Sequence, residues 1–130
     1  MKKLSVIDFF CGAGGFSEGF KQMGFEIIHG YDHWKPAIDT YNHNFDLECD
    51  VKNILDFKKS IEEIENLPDT DVIIGSPPCV SFSSSNKSGN ADKSLGVELT
   101  ETFLRIVAVK KYKPNSILRS EEHTSELQSL

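Results

Sequence analysis

The chain has 130 residues, 38% of them hydrophobic and 26% charged, which suits one domain with a core of its own. Its formal charge of −6 argues against a free-standing nucleic-acid binder, whose affinity rests on clustered Lys and Arg. It leaves room for a catalytic module whose DNA-gripping parts lie elsewhere. No apolar run approaches the roughly 18 residues of a membrane span, and Asp8 interrupts the apolar stretch behind the basic start. Neither a membrane segment nor a signal peptide is therefore expected, and the expected location is cytoplasmic.

Leu4 to Phe10 reads as a first strand. Cys11 to Gly15 is a glycine-rich turn, and Phe16 to Met23 a helix stopped by Gly24. Phe25 to His29 is a second strand that ends near Gly30-Tyr31-Asp32. Trp34, Ala37, Ile38, Tyr41 and Phe45 recur at helical spacing, with Pro36 in the first turn. Leu47 to Val51 is expected as a third strand. Phe57, Ile61, Ile64 and Leu67 mark an amphipathic helix closed by Pro68. Val72 to Gly75 is the fourth strand. The polar, serine-rich run Ser81 to Ser94 is expected as a loop. Leu99, Phe103, Ile106 and Val107 line a last helix, which Pro114 ends. Ser116-Ile117-Leu118 should open a fifth strand. Alternating strands and helices predict an α/β fold, a parallel sheet with helices on both faces.

Residues 119–130 lack any packing period. They resemble the translation of a sequencing-adapter oligonucleotide and are expected to be a non-native tail, with residues 1–118 as the domain.

Cys11, Cys49 and Cys79 are odd in number and widely spaced, with no C-x-x-C pair, so neither a disulfide framework nor a metal site is expected. Each alone is a small buried hydrophobe or a nucleophile. Cys79 differs from the other two. It follows Pro77-Pro78 at the carboxyl end of a strand, and the two fixed φ angles would mount a thiol outward.

Asp8-Phe9-Phe10-Cys11-Gly12-Ala13-Gly14-Gly15-Phe16 carries glycines at a strand-to-helix turn, where backbone can approach a ligand and the helix dipole points at it. The same pattern also makes a plain tight turn. A G-x-G-x-x-G match fails at Ser17. Asp32 follows Gly12 by 20 residues, which suits either a ribose acceptor or a helix N-cap. Asp50, read alone, is an adenine contact or a turn residue. All three features fall on the carboxyl edge of the predicted sheet, where open α/β sheets bind ligands.

The glycine-turn segment resembles the first motif of the DNA cytosine-5 methyltransferases. Gly75-Ser76-Pro77-Pro78-Cys79-Val80-Ser81-Phe82-Ser83 resembles their Pro-Cys nucleophile motif. Tyr31-Asp32, Ala37 and Tyr41-Asn42-His43-Asn44-Phe45 resemble the ribose-site segment between them. The resemblance runs over residues 4 to 118, in the family's motif order. It implies a Rossmann-like methyltransferase fold, incomplete in this chain. It also implies S-adenosyl-L-methionine as cofactor and double-stranded DNA as partner. Methyl transfer to carbon 5 of cytosine would proceed through a Cys79 adduct at carbon 6, on a base flipped out of the duplex.

Carried over residue by residue, Phe10 stacks on the adenine, and Gly12, Ala13 and Gly15 lie against the methionine portion. Asp32 holds the ribose hydroxyls with His33 beside it. Asp50 and Val51 address the adenine, Pro78 and Leu99 pack near the cofactor, and Ser83 begins a mobile loop. Neither metal nor membrane is implied, a companion restriction endonuclease is compatible, and a monomer is expected. The rival readings are a non-catalytic nucleotide-binding module and an NAD-dependent oxidoreductase.

Val80 departs from the glutamine common in the family. The family's Glu-Asn-Val motif, a later arginine-bearing motif and the target-recognition domain do not occur before or after Leu118 in this sequence. The parent enzyme is thus expected to be a methyltransferase, and the 130-residue chain by itself inactive. Incubated with labelled cofactor and cytosine-containing duplex, it should incorporate no methyl group in a sequence-dependent manner.

Overall fold

A computed structural model describes residues 2–78 and 89–112. Cys79, Val80 and Ser83, the expected fifth strand and the tail of residues 119–130 all lie outside them. Among the described residues, three strands form one parallel sheet: β1 (Ser5–Phe9), β2 (Glu26–Tyr31) and β3 (Val72–Gly75), in the order β2-β1-β3. Four α-helices accompany them: α1 (Gly15–Gln22), α2 (Lys35–Phe45), α3 (Ile61–Glu65) and α4 (Gly89–Lys111). A short 3-10 helix, Ile54–Lys58, precedes α3.

The central place of β1 explains its composition. Val6, Ile7, Asp8 and Phe9 are all fully buried, because neighbours cover both edges and helices cover both faces. Successive residues face opposite ways. Ile7 and Phe9 join the larger core with Tyr31, Phe57, Ile64 and Ile106, beneath the 3-10 helix, α3 and α4. The Phe9 and Tyr31 rings stack at 4.6 Å. On the other face, Cys11, Ile38, Tyr41 and Cys49 form a smaller core with Ile27, Phe45 and Leu47. The β1–β2 register slips between Val6 and Ile7. That slip is why Ile28 and Tyr31, three residues apart, both reach the larger core.

The expected parallel sheet with helices on both faces is present. Gly24, at φ 93°, closes the turn after α1, and Pro36 sits in the first turn of α2, both as anticipated. Three expectations are corrected. Residues 47–51 are not a strand. The amide and carbonyl of Cys49 are taken by the Asn42 side chain, at 2.7 and 2.9 Å, so the backbone is satisfied without a ladder. Residues 57–67 are not one helix but the end of the 3-10 helix and the five-residue α3, broken at Lys59-Ser60. The loop expected to run to Ser94 gives way to α4 at Gly89. Once the buried face of α4 around Thr102 and Ile106 is docked, each further residue adds a helical hydrogen bond at little cost, so the helix extends into polar sequence.

Lys110 ties α4 to the segment before β3. Its buried ammonium donates to the carbonyls of Leu67 (2.6 Å) and Glu65 (3.3 Å) and pairs with Asp69 (2.7 Å). It thereby satisfies carbonyls left open after α3.

Gly30 tests the packing of the smaller core. A Cβ there would lie 2.5 Å from the Tyr41 ring and 2.9 Å from Cys11 Sγ. Gly30→Ala should lower unfolding free energy by about 1–3 kcal/mol, an overpacking cost readable in urea denaturation.

Candidate cofactor site

The site is built where β1 and β2 end side by side. Cys11 donates its amide to the Tyr31 carbonyl at 3.1 Å, which carries the strand pairing one step past Phe9. Phe10 between them adopts φ 58°, a left-handed conformation that costs roughly 1–2 kcal/mol for a residue with a Cβ. Two contacts offset this. The Phe10 carbonyl accepts from Ser76 Oγ at 3.3 Å, and its ring meets Phe103 edge-on at 6.2 Å.

Gly12 and Gly14 then turn the chain at φ 55° and 104°, and the Gly14 amide closes the turn on the Cys11 carbonyl at 3.0 Å. Gly14 caps α1 in the left-handed region, and a Cβ there would collide with the Phe45 ring. At Gly12 and Gly15 a Cβ would meet nothing within 4 Å. Backbone is therefore open to a ligand at these two positions, beside the first turn of α1.

Asp32 joins the two strand ends. Its Oδ2 accepts from the Gly12 amide at 2.9 Å and its Oδ1 from the Trp34 amide at 3.0 Å. Its side chain is 14% exposed, enough to be reached. An ionised carboxylate offers about four acceptor directions. Among the described residues two hydrogen bonds use one direction on each oxygen, which leaves one on each, a match for the two vicinal hydroxyls of a ribose. The N-cap alternative resolves differently from either simple form: Trp34 is the N-cap of α2, and Asp32 serves its amide from two residues earlier. His33 is exposed, with Nδ1 3.5 Å from Asp32 Oδ1.

Asp50 and Val51 reach the same edge without a strand. The Lys52 amide donates to the Asp32 carbonyl at 2.8 Å, which fixes the preceding residues beside Asp32. Val51 is largely exposed. His29 feels both effects of this corner: burial lowers its pKa, and Asp50 opposes the shift. Ala13 is held by Asn44, whose Nδ2 donates to its carbonyl at 3.2 Å.

Pro78 is exposed just beyond β3, whose Gly75 pairs with Phe9. Leu99 is placed farther in, among the side chains of the larger core with Phe103. So Gly12, Asp32, His33, Asp50 and Val51 are gathered at one corner. Phe10 borders it, while Leu99 belongs to the packing behind. Cys11 and Cys49 are buried, and burial pushes both thiols up, which keeps them protonated and unreactive. Among the described residues no group of His, Cys, Asp or Glu is arranged to hold a metal ion, and no helix is long and apolar enough to cross a membrane.

Residues 4–119 match the C-5 cytosine-specific DNA methylases. The chain belongs to that family. It is 41% identical over 105 residues to the type II methyltransferase M.HgiGI of Herpetosiphon aurantiacus, covering 80% of each chain. It is 38% identical to the type II methyltransferase M.HindV of Haemophilus influenzae, over 80% of this chain but 33% of that one. The solved structure of Entamoeba histolytica methyltransferase EhMeth superposes with a TM-score of 0.60 at 28% identity, over 77% of this chain and 32% of that one. The chain thus spans about a third of the length of the longer relatives. The incomplete Rossmann-like methyltransferase fold expected from the sequence is the fold observed.

A network below the turn escaped the sequence reading. Ser17 Oγ donates to Asp8 Oδ2 at 2.6 Å and contacts Tyr41 Oη at 2.8 Å, all three side chains buried. The available signal was a carboxylate inside an apolar strand. Burial raises the Asp8 pKa from its ordinary 3.8 to about 6, against the lowering effect of the Ser17 hydroxyl and amide. The folded protein therefore holds this proton more tightly than the unfolded chain, and stability falls as pH rises from about 4 to 6. Asp8→Asn should raise unfolding free energy at pH 7 by up to ~3 kcal/mol. The gain should vanish at pH 4 in paired urea titrations.

Proposed function

We propose that the protein transfers a methyl group from S-adenosylmethionine to carbon 5 of cytosine in duplex DNA, with Cys79 as the nucleophile. The observation that carries the cofactor half of this reading is the Asp32 carboxylate. It is fixed by two amides, with one acceptor direction on each oxygen unused among the described residues, next to open backbone at Gly12 and Gly15. Family membership supports the reaction.

When bound, S-adenosylmethionine supplies an electrophilic methyl on a sulfonium sulfur. Asp32 accepts the ribose hydroxyls, with His33 at its side. Gly12, Ala13 and Gly15 leave room for the methionine portion against the backbone. Phe10, Asp50 and Val51 border the adenine, Pro78 lies at the edge beyond β3, and Leu99 backs the site from the larger core. On the substrate side, the Cys79 thiolate adds to carbon 6 of a flipped cytosine, and the ring's electron pair moves to carbon 5. Carbon 5, now electron-rich, would accept the methyl that S-adenosylmethionine supplies, the pair of the broken sulfur–methyl bond staying on sulfur as a neutral thioether. Loss of its proton and departure of the thiolate restore the aromatic ring. Cys79 lies outside the described residues, so its role rests on the Pro77-Pro78-Cys79 motif. The named relatives are type II methyltransferases, which fits a companion restriction endonuclease. We further propose a monomeric, cytoplasmic enzyme.

The test uses the parent enzyme and a duplex carrying 5-fluorocytosine. Fluorine cannot leave as a proton does, so after methyl transfer the carbon 6 bond to sulfur persists. A denaturation-resistant protein–DNA complex is expected, and Cys79→Ser should abolish it. Tight NAD binding without a complex would instead favour the oxidoreductase reading.

A further inference from the structure

Asp8 stands apart in β1. It is fully buried, yet only one of its oxygens has a partner among the described residues. Ser17 Oγ carries a single proton, and that proton is committed to the carboxylate. Tyr41 is then the donor in the 2.8 Å contact with Ser17. The chain of donors runs from Tyr41 to Ser17 to Asp8, and the negative charge at its end sets that direction. A protonated Asp8 becomes a donor itself and removes the reason for the order.

These three residues sit on the three elements that enclose the glycine turn. Asp8 is on the strand that enters it, Ser17 is in the first turn of the helix that leaves it, and Tyr41 is on the helix that covers it. The Tyr41 ring also comes within 3.1 Å of the place a Gly14 Cβ would occupy. An asparagine would fit the space of Asp8 without burying a charge. Keeping a carboxylate there lowers stability at neutral pH, a trade met where function needs it.

We propose that ionised Asp8 is a positioning residue for the cofactor: through Ser17 and Tyr41 it holds the first turn of α1 in the geometry that receives S-adenosylmethionine. This rests on the cofactor reading above. The groups facing Asp8 are Asp32, whose charge opposes its ionisation, the Ser17 hydroxyl and amide, which favour it, and the Cys11 and Tyr41 side chains, both kept neutral by burial. Asp8 ionises near pH 6, so the turn is ordered above that pH and loosens below it.

The experiment compares the full chain with Asp8→Asn and Tyr41→Phe between pH 5 and 8. S-adenosylmethionine is titrated calorimetrically, and amide hydrogen exchange at Gly12 to Ser17 is followed without cofactor. Wild-type affinity should weaken as pH falls through about 6, opposite in sign to its stability. Asp8→Asn keeps an acceptor for Ser17 but not the charge, and should bind about tenfold more weakly at pH 7.5, the scale separating a charge-assisted from a neutral buried hydrogen bond. It should also lack the inflection near pH 6 while melting at a higher temperature than wild type. Both variants should lose protection at Gly14 and Gly15 at pH 7.5 and converge with wild type at pH 5. Wild-type affinity and wild-type protection in Asp8→Asn would overturn the proposal. If the wild-type chain binds no cofactor, the cofactor reading falls for this chain, and the exchange profiles alone decide the role of Asp8.

Discussion

The carboxylate of Asp32 bonded to the Gly12 amide is the contact on which the cofactor corner depends. Parallel strands bring β1 and β2 to one edge but leave their ends free to diverge. Asp32 ties the turn after β1 to the end of β2 and, through its second oxygen, to the start of α2. Its backbone carbonyl then captures Lys52 and brings residues 50–51 alongside. One residue thus connects four chain segments by side chain and backbone together.

Local strain is concentrated at the same corner. Phe10, Gly12 and Gly14 all have positive φ within five residues. Glycine takes this conformation freely, whereas Phe10 takes it at a cost that Ser76 and Phe103 help to offset. Below the turn, Asp8 adds a buried carboxylate with one oxygen bonded to Ser17 and the other without a hydrogen-bond partner among the described residues. The rest of the fold supplies the stability that permits this. The stacked Phe9 and Tyr31 rings and the capture of Lys110 lie on the face of the sheet opposite Asp8.

The cysteines show why environment, and not residue type, decides chemistry. Cys11 belongs to the glycine-turn segment and Cys49 lies beside β2, yet burial keeps both as neutral packing groups. Both thiols pack against Gly30 and Tyr41, where a charged sulfur would have no solvent to stabilise it. The Pro-Pro-Cys segment follows a strand end that leads out of the sheet.

Sequence alone determined the parallel α/β class, the glycine turn, the Asp32 position and the family, because each depends on short-range pattern: strand and helix periods, punctuating glycines, and motif spacing. It misplaced residues 47–51, 57–67 and 89–94. In each case a non-local partner overrode local preference. Asn42 took the backbone groups a third strand would have used, the 57–67 run packs on α4 as two short helices, and docking of α4 drew polar residues into the helix. Only the tertiary structure decided that Asp8, Ser17 and Tyr41 meet. They are separated by 9 and 24 residues, and no local pattern encodes a contact made when two helices close over one strand.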